Sequence, residues 1–385
     1  MREQSPPVVI FGAGKTGRGF AAHLCQMSGV PFILVDQDRQ LVERLRLHRR
    51  YEVHVLSDPE HVAVLEPNGV YHTSDEGWIR YFESARLCFT AVFGNNLPEL
   101  GHTLAIGLKR RFRDPSHPLP ATIVTCENLN GAANVLREAV LQQLGGDTSR
   151  EVVDRNVGFS EGMILKTCLD PRADGDPLSL LAEDFFELPC DRAEVRGGLP
   201  ELKGLQPQDN FSHQLLRKIY TYNCINAVIS YLGARQGIHL LSDAAADPEI
   251  REWAERARDE TSAALIREFG FDPAEQESWG ARALRKFANA SLPDPLSRNG
   301  ADPRRKLSRT DRLIGPALLA LKHGIKPRAI VEGVLAAVHF PDLDGQRLID
   351  HFPGSDPHGL LTEVCELRSD EPLYEYIVTH WTRER

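Results

Sequence analysis

The chain has 385 residues, of which 42% are hydrophobic and 26% are charged, and its formal net charge at pH 7 is −9. This length can bury two substantial cores, so we expect two domains. The acidic balance without a large basic block argues against a nucleic-acid partner. A membrane partner is not expected either, because no apolar run approaches the ~20 residues that a membrane-spanning helix needs.

The cysteines indicate a reducing compartment and no metal site. They are odd in number, scattered and free of C-x-x-C spacing, so they predict free thiols and a cytoplasmic location. No group of His, Cys and Glu residues has the spacing of zinc ligands, which argues against a metal-dependent alcohol dehydrogenase. The seven cysteines are Cys25, Cys88, Cys126, Cys168, Cys190, Cys224 and Cys365.

The first motif is a glycine-rich turn that follows an apolar strand. The run Val8-Val9-Ile10-Phe11 leads into a G-x-G-x-x-G motif formed by Gly12, Gly14 and Gly17, and residues 20–27 continue as a plausible helix. The first glycine allows a tight turn, the second lets the backbone approach a pyrophosphate, and the third lets the helix pack on the strand. The helix N-terminus then faces the phosphates of a dinucleotide.

A second apolar strand, residues 32–35, ends at Asp36, nineteen residues after Gly17. A carboxylate at this place can accept hydrogen bonds from both hydroxyls of an adenosine ribose, and it repels a 2′-phosphate. Strand, glycine motif, helix, second strand and acid together predict a dinucleotide site that prefers NAD to NADP.

The rest of the first half continues to alternate strands with helices. This predicts an α/β fold with a Rossmann-type parallel sheet, whose ligand lies outside the carboxyl ends of the strands. Val92 ends one of these strands and Asn128 follows another, and both are therefore candidate contacts to the nicotinamide half of NAD. Turn and N-cap chemistry is the alternative role for Asn128, as it is for Asn95 and Asn96. The predicted strands are residues 85–92, 122–126 and 152–159, with a helix over 134–144.

The pattern changes after residue 195. Residues 196–200 contain two glycines and a proline, and from Phe211 onward the periodicity is helical with few strand signals. We therefore predict an NAD-binding Rossmann domain over residues 1–195 and an all-α substrate domain over residues 196–385.

Three polar residues of the helical half are candidates for catalysis. Lys218, Asn223 and Asn226 fall at about 0°, 140° and 80° around a helix of about 100° per residue, so they are predicted to share a face. Oxidation of a secondary alcohol needs a base for the hydroxyl proton and polar groups for the charge that grows on the oxygen. A lysine with amide neighbours can supply both. The alternative is a solvated lysine with two cap or turn amides on an ordinary helix.

Three blocks of sequence carry a resemblance to a known family. They are the glycine motif of residues 12–20, the K-x4-N spacing of Lys218 and Asn223, and residues 302–317. The chain resembles the polyol-specific long-chain dehydrogenases of the mannitol dehydrogenase family, and within them the mannitol-1-phosphate 5-dehydrogenases. The resemblance implies a reversible, metal-free, NAD-dependent oxidation of a polyol or polyol phosphate to a ketose. It makes Lys218 the general base and has Asn223 hold the reacting oxygen.

Two departures from the family pattern concern the predicted active site. Asn226 stands where the family motif K-x4-N-x2-H has its histidine, and an amide can donate a hydrogen bond but cannot titrate. Leu165 and Lys166 stand where relatives carry an Asp-Arg pair. The resemblance maps two further substrate contacts onto Glu161 and Asp191.

A basic segment suggests that the substrate is an anion. Arg298 and Lys306 are eight residues apart, as are an arginine and a lysine that the family places against substrate. Arginine binds phosphate or carboxylate with two parallel hydrogen bonds, and lysine acts as a point charge. A polyol or sugar phosphate is therefore the expected small-molecule partner, and a solvated basic turn is the alternative. Two other functions remain open: a uronate reductase of the tagaturonate or fructuronate type, and a catalytically impaired NAD-binding sensor.

Overall fold

The computed structural model describes residues 6–381 apart from 57, 59, 61, 114–118, 172–174, 342–344 and 353–356. The chain forms two compact units that divide between Ser212 and His213. The division predicted from the sequence, between residues 195 and 196, precedes this one, because β12 (Leu205–Gln208) still belongs to the first unit.

The first unit contains all twelve strands of the described residues. In chain order they are β1 (Val8–Phe11), β2 (Phe32–Asp36), β3 (Tyr51–Val55), β4 (Val62–Leu65), β5 (Gly69–His72), β6 (Leu87–Thr90), β7 (Ala121–Thr125), β8 (Val157–Glu161), β9 (Cys168–Leu169), β10 (Leu180–Ala182), β11 (Leu188–Asp191) and β12 (Leu205–Gln208).

Six of these strands form one parallel sheet in the order β5-β2-β1-β6-β7-β8. Val9 in β1 pairs with Ile33 of β2 on one side and with Cys88 of β6 on the other. The strand order reverses between β1 and β6, as in a doubly wound nucleotide-binding domain, and ligands of such sheets bind at the carboxyl edge beside the reversal. The Rossmann-type fold predicted from the sequence is confirmed.

Helices cover both faces of this sheet because its central strands are apolar on both sides. Val9 and Phe11 belong to a core cluster with Trp78 and other residues, while Val8 and Ile10 belong to the opposite cluster. Such a strand reads as a continuous apolar run. The helices are α1 (Ala22–Met27), α2 (Arg39–His48), α3 (Ile79–Ser84), α4 (Leu97–Arg111), α5 (Ala132–Leu144) and α6 (Asp147–Asn156), and a π-helical turn, Gly17–Ala21, precedes α1.

Some details differ from the sequence-based expectation. The strand predicted over residues 152–159 is wrong at its start, because residues 152–156 belong to α6 and β8 begins at Val157. Val153 is buried while Asp154 and Arg155 are exposed, so the apolar residue belongs to one face of a helix. Two further sheets, β4-β3-β10-β9 and β11-β12, have no counterpart in the expectation.

The second unit is helical, as predicted. Its central helix α8 is buried over ten consecutive residues, and it contacts α9, α10, α12 and α15. A helix that is buried on all sides must be apolar on all sides, so any polar residue on it is conspicuous. The helices are α7 (Phe211–Lys218), α8 (Cys224–Arg235), α9 (Leu241–Ala246), α10 (Pro248–Phe269), α11 (Pro273–Phe287), α12 (Leu296–Gly300), α13 (Pro303–Lys306), α14 (Ile314–Lys322), α15 (Arg328–Ala337), α16 (Pro357–Glu363) and α17 (Pro372–Trp381).

None of the helices in the described part of the chain is long and apolar enough to cross a bilayer.

Candidate functional site

The glycine motif forms the turn at the carboxyl end of β1. A Cβ atom on Gly12, whose φ is +94°, would collide with the carbonyl oxygen of Ala91, and one on Gly17 would collide with the carbonyl oxygen of Gly12. A Cβ atom on Gly14 would have no neighbour within 4 Å. Packing within the protein therefore requires the first and third glycines, while the space beside the second is open to a ligand.

Two side chains fix this glycine turn. The Asp36 carboxylate accepts a hydrogen bond from the backbone N–H of Ala13 at 2.5 Å and another from that of Asp38 at 2.8 Å. On the other side, Arg18 Nε donates to the carbonyl oxygen of Ala13 at 2.6 Å. A carboxylate has about four acceptor positions, so Asp36 can hold the turn and still accept ribose hydroxyls. The arrangement fits NAD, with the ribose contact of Asp36 still a prediction.

The turn after β6 is held by a buried acid that the sequence-based analysis missed as a site residue. Glu127, 6% exposed, accepts hydrogen bonds from Thr90 Oγ1 at 2.8 Å and from the backbone N–H of Val92 at 3.0 Å. Burial raises the pKa of the Glu127 carboxyl, and these hydrogen bonds oppose the rise. Glu127 is the second residue after the buried strand β7, and an acid at such a place is a sequence signal for a group at the carboxyl edge.

The other candidates in this unit lie near the same edge of the sheet. Glu161 ends β8 and accepts hydrogen bonds from the backbone N–H groups of Gly131 at 2.7 Å and Ala132 at 3.2 Å, so it caps α5. Burial raises its pKa, and the negative charges of Asp191 and Glu127 add to the rise.

Asp191 ends β11 and accepts a hydrogen bond from the backbone N–H of Ala193 at 3.0 Å. Asn128 is exposed and follows Glu127 in the chain. Substrate contact by Glu161 and Asp191, and cofactor contact by Asn128 and Val92, stay predictions.

In the second unit, Lys218 lies at a change of helix type. It is the last residue of α7, a π-helical turn covers Ile219–Asn223, and α8 begins at Cys224. In a π-helix the hydrogen bonds join residues five apart, so Lys218 and Asn223 lie about one turn apart. The angles expected for a continuous α-helix are therefore wrong across this segment. Such single π turns frequently mark functional sites.

The environment of Lys218 favours its neutral form. The side chain is 5% exposed, and burial, together with the positive charge of Arg312, lowers its pKa to about 7. The positive charges of Lys286 and Arg305 also lower this pKa, and the negative charge of Asp311 raises it. A lysine with such a pKa can accept a proton at neutral pH.

Asn226 is connected to the basic segment through Asn299. Its Nδ2 donates to the side-chain oxygen of Asn299 at 3.0 Å, and Lys306 Nζ donates to the backbone carbonyl oxygen of the same residue. Lys306 is 5% exposed, and burial, with Arg312 and Arg305 nearby, lowers its pKa to about 6. Lys218 and Lys306 therefore share the field of the same two arginines.

Arg298 lies beside Asn299 and pairs with a buried acid. Its Nε and Nη2 donate to the two oxygens of Asp294 at 2.7 and 2.5 Å. The Asp294 side chain is 3% exposed and that of Arg298 is 45% exposed, so the guanidinium head is partly open to solvent. The structure thus brings Asn226 and Lys306 together at Asn299, with Arg298 next to it in the chain. Their contact with substrate stays a prediction.

An acidic residue organises the arginines near the two lysines. Asp311 accepts from Arg305 Nη1 at 3.1 Å and from Arg312 Nε at 2.8 Å, and Arg312 is 4% exposed. In the sequence, Asp311 and Arg312 stand out only as members of the block 302–317. Among the residues that the structure describes, no group of His, Cys, Asp and Glu side chains could hold a metal ion.

Comparison with known proteins gives matches along nearly the whole chain. A model of the mannitol dehydrogenase Rossmann domain matches residues 6–204, and a model of the mannitol dehydrogenase C-terminal domain matches residues 211–351. A mannitol-1-phosphate 5-dehydrogenase of Bacillus velezensis is 31% identical over 96% of this chain and 97% of its own length. One of Geobacillus stearothermophilus is 31% identical over 97% of this chain and 98% of its own.

Two solved structures are similar in fold. The ternary complex of mannitol 2-dehydrogenase from Pseudomonas fluorescens with NAD and D-mannitol has a TM-score of 0.79 at 16% identity, covering 99% of this chain and 91% of its own. A D-sorbitol dehydrogenase in substrate-free form has a TM-score of 0.73 at 18% identity, covering 89% and 82%. The resemblance inferred from the three sequence blocks is confirmed.

Proposed function

The chain belongs to the mannitol dehydrogenase family, and we propose that it is an NAD-dependent, metal-independent oxidoreductase that interconverts a polyol phosphate and a ketose phosphate. The observation that carries the proposal is Lys218, a buried lysine with a pKa of about 7, preceding the π turn that leads to Asn223. The glycine turn and Asp36 support NAD as the cofactor, because the space beside Gly14 is open and the acid lies at the end of β2.

Lys218 acts as the general base in the oxidation. In its neutral form it removes the hydroxyl proton of the substrate, and the resulting ammonium is the acid for the reverse reaction. Asn223 and Asn226 donate amide hydrogen bonds to the oxygen as negative charge grows on it. When NAD⁺ is bound, its nicotinamide ring would accept the hydride from the substrate carbon that carries this oxygen.

The basic segment supports a phosphorylated substrate. Lys306, Arg305 and Arg312 carry or can carry positive charge, and Arg298 has a partly exposed guanidinium next to Asn299. An anion in contact with Lys306 stabilises its ammonium form, which burial alone disfavours. The two relatives at 31% identity, both called mannitol-1-phosphate 5-dehydrogenase, support the same substrate class.

We place the enzyme in the cytoplasm, because its seven cysteines are scattered along the chain, without C-x-x-C spacing, and are all buried. Such a pattern is typical of a reducing compartment.

A substrate panel tests the proposal. The absorbance of NADH is followed with mannitol 1-phosphate and NAD⁺, then with fructose 6-phosphate and NADH, before and after chelation of metals. We expect turnover in both directions, a lower KM than for unphosphorylated mannitol and no loss after chelation. Turnover of uronates alone would favour the uronate reductase, and NAD binding without turnover on any polyol, ketose phosphate or keto-acid would favour the sensor.

A further inference from the structure

Phe93 has a backbone conformation that only glycine adopts readily. Its φ is +66° and its ψ is 148°, and it lies in the turn between β6 and α4. A side chain at positive φ is strained, and a bulky ring makes this costly. Such strain persists only where the surrounding structure enforces it, and it concentrates at functional sites.

Hydrogen bonds on both sides of Phe93 enforce its conformation. The N–H of Val92 donates to the buried carboxylate of Glu127 at 3.0 Å, and the carbonyl of Val92 accepts from Asn96 Nδ2 at 2.7 Å. The carbonyl of Phe93 accepts from the backbone N–H of Asn96 at 3.0 Å. The turn is therefore held by the Glu127 carboxylate, which is 6% exposed and is itself costly to bury.

The ring of Phe93 is not part of the hydrophobic core. Phe93 is 78% exposed, although a phenylalanine side chain gains most from burial. A strained backbone and an exposed ring are both unfavourable in the isolated protein. A bound ligand that covers the ring would compensate for both.

The position of the turn indicates which part of a ligand it meets. A Cβ atom on Gly12 would lie 3.1 Å from Val92 Cγ1, so this turn adjoins the glycine turn across the reversal between β1 and β6. Asp36, predicted to bind the adenosine ribose, is the last residue of β2, which lies on the opposite side of β1. A dinucleotide with its pyrophosphate at the glycine turn therefore extends its other half towards β6.

We propose that Phe93 is a cofactor-contacting residue whose ring packs against the nicotinamide end of bound NAD. This inference rests on the proposed function. Aromatic rings pack face to face with an offset or edge to face, and such contacts add to the free energy gained from burial. The exposed ring thus becomes a wall of the site once NAD is bound.

Calorimetric titration of the wild type and Phe93→Ala with NADH and with ADP-ribose tests this inference. ADP-ribose shares the adenosine and pyrophosphate parts but lacks the nicotinamide ring. We expect Phe93→Ala to raise the Kd for NADH by about 5- to 30-fold, and to leave that for ADP-ribose unchanged. Leu47→Ala is the matched control, because Leu47 is 79% exposed near the end of α2, which runs from the carboxyl edge back to the other edge.

A second variant separates a contact with the cofactor from a structural role. Glycine adopts the observed φ without strain, so Phe93→Gly should raise the Tm of the protein without ligand while it weakens NADH binding. A lower Tm with unchanged NADH affinity would show that the ring supports the fold, and would overturn the inference.

Three further outcomes are decisive. A wild type that binds neither NADH nor ADP-ribose would remove the proposed function and this inference with it. Unchanged NADH binding by Phe93→Ala would overturn the inference alone. A fall in oligomer mass by ultracentrifugation, with NADH affinity unchanged, would also overturn it, because the ring would then be a contact between subunits.

Discussion

Asn226 and Asn299, 73 residues apart in the chain, are joined by a hydrogen bond of 3.0 Å between their side chains. Asn299 also accepts a hydrogen bond from Lys306 through its backbone carbonyl. The residue that stands in place of the motif histidine and the lysine predicted to bind an anion therefore meet at one asparagine. This network lets the alcohol end and the charged end of a substrate be tested separately.

Asn299→Ala should affect catalysis more than substrate charge recognition. The variant removes the side-chain partner of Asn226 but keeps the backbone carbonyl that binds Lys306. An orphaned buried amide costs about 1–3 kcal/mol, so we expect kcat to fall roughly 5- to 100-fold. The KM for the phosphorylated substrate should change little. Asn289→Ala, at an exposed position after α11, is the control, and an equal effect of both variants would contradict the prediction.

Lys306→Met should weaken binding of the phosphorylated substrate and remove its pH dependence. The pKa of Lys306 is lowered to about 6 by burial, so above that pH the lysine must take up a proton to hold a phosphate. In the wild type, KM for the phosphorylated substrate should rise as the pH increases above 6, while KM for the neutral polyol stays flat.

Methionine keeps the volume of the buried Lys306 side chain without its charge. Lys322→Met is the control, because the Lys322 side chain is 61% exposed. Equal losses on charged and neutral substrates in Lys306→Met would show that the segment supports structure instead of recognising charge.

The sequence predicts the parts of this protein that depend on local patterns. β1, β2, β6 and β7 are apolar runs, and the glycine motif specifies its own turn. The sequence does not predict β3, because alternating apolar residues such as Tyr51 and Val53 are a weaker signal than a continuous apolar run.

The features that the sequence does not predict depend on tertiary contacts. No local sequence signal indicates the π turn after Lys218, because the same types of residue form α-helical and π-helical turns. The resemblance assigns Glu161 to substrate, which stays a prediction, but it does not indicate that the same side chain caps α5 from thirty residues away in the chain. Asn299 acquires its role only when α12 packs against α8.

Asp36→Ala and Asp36→Asn should separate the two roles of this acid. Both remove the charge that repels a 2′-phosphate, so both should narrow the gap between NAD⁺ and NADP⁺ affinity. Alanine also loses the hydrogen bond to the Ala13 N–H, and losing charged hydrogen bonds costs about 1.5–3 kcal/mol. Asparagine keeps one acceptor for the turn. Calorimetry with both cofactors is the measurement. If both variants bind NAD⁺ as tightly as the wild type and still exclude NADP⁺, Asp36 does not bind the ribose.

Lys166→Met should stabilise the protein. Lys166 is 5% exposed, its Nζ has no hydrogen-bond partner among the described residues, and it lies 4.0 Å from the ring centroid of Phe186. Burial lowers its pKa to about 8, against ~10.4 in an unfolded chain. Between these pH values the unfolded state therefore binds more protons than the folded state. Below pH 8 both states carry the charge, so the full free-energy cost of burying the ammonium applies. We expect the free energy of unfolding at pH 7 to rise by about 1–3 kcal/mol.

Urea unfolding at a series of pH values measures the effect of Lys166→Met. Between pH 8 and ~10.4 the wild type should gain stability from this group as the pH rises, and the variant should lack that gain. The exposed Lys203→Met, in the same unit, is the control. A variant that is less stable than the wild type at pH 7 would mean that the contact with the aromatic rings outweighs burial of the charge.

Lys218 should control the pH dependence of both reaction directions. Its pKa is about 7 because of burial and the charge of Arg312, and the base must be neutral for oxidation. Alcohol oxidation should therefore rise with pH along one ionisation near 7, while ketose reduction falls through the same ionisation. Lys218→Ala should lower kcat roughly 100- to 10,000-fold, and an added small amine should restore part of it. Binding of NAD should stay nearly flat with pH.

Two neighbouring substitutions should move this ionisation in opposite directions. Arg312→Met removes a positive charge that lowers the pKa of Lys218, so the oxidation profile should shift to higher pH. Asp311→Asn removes a negative charge that raises this pKa, so its profile should shift to lower pH. Asn226→His adds a titrating group and should alter the profile without abolishing turnover. Profiles that move the same way in both variants, or a Lys218→Ala enzyme with the wild-type rate and profile, would show that Lys218 is not the base.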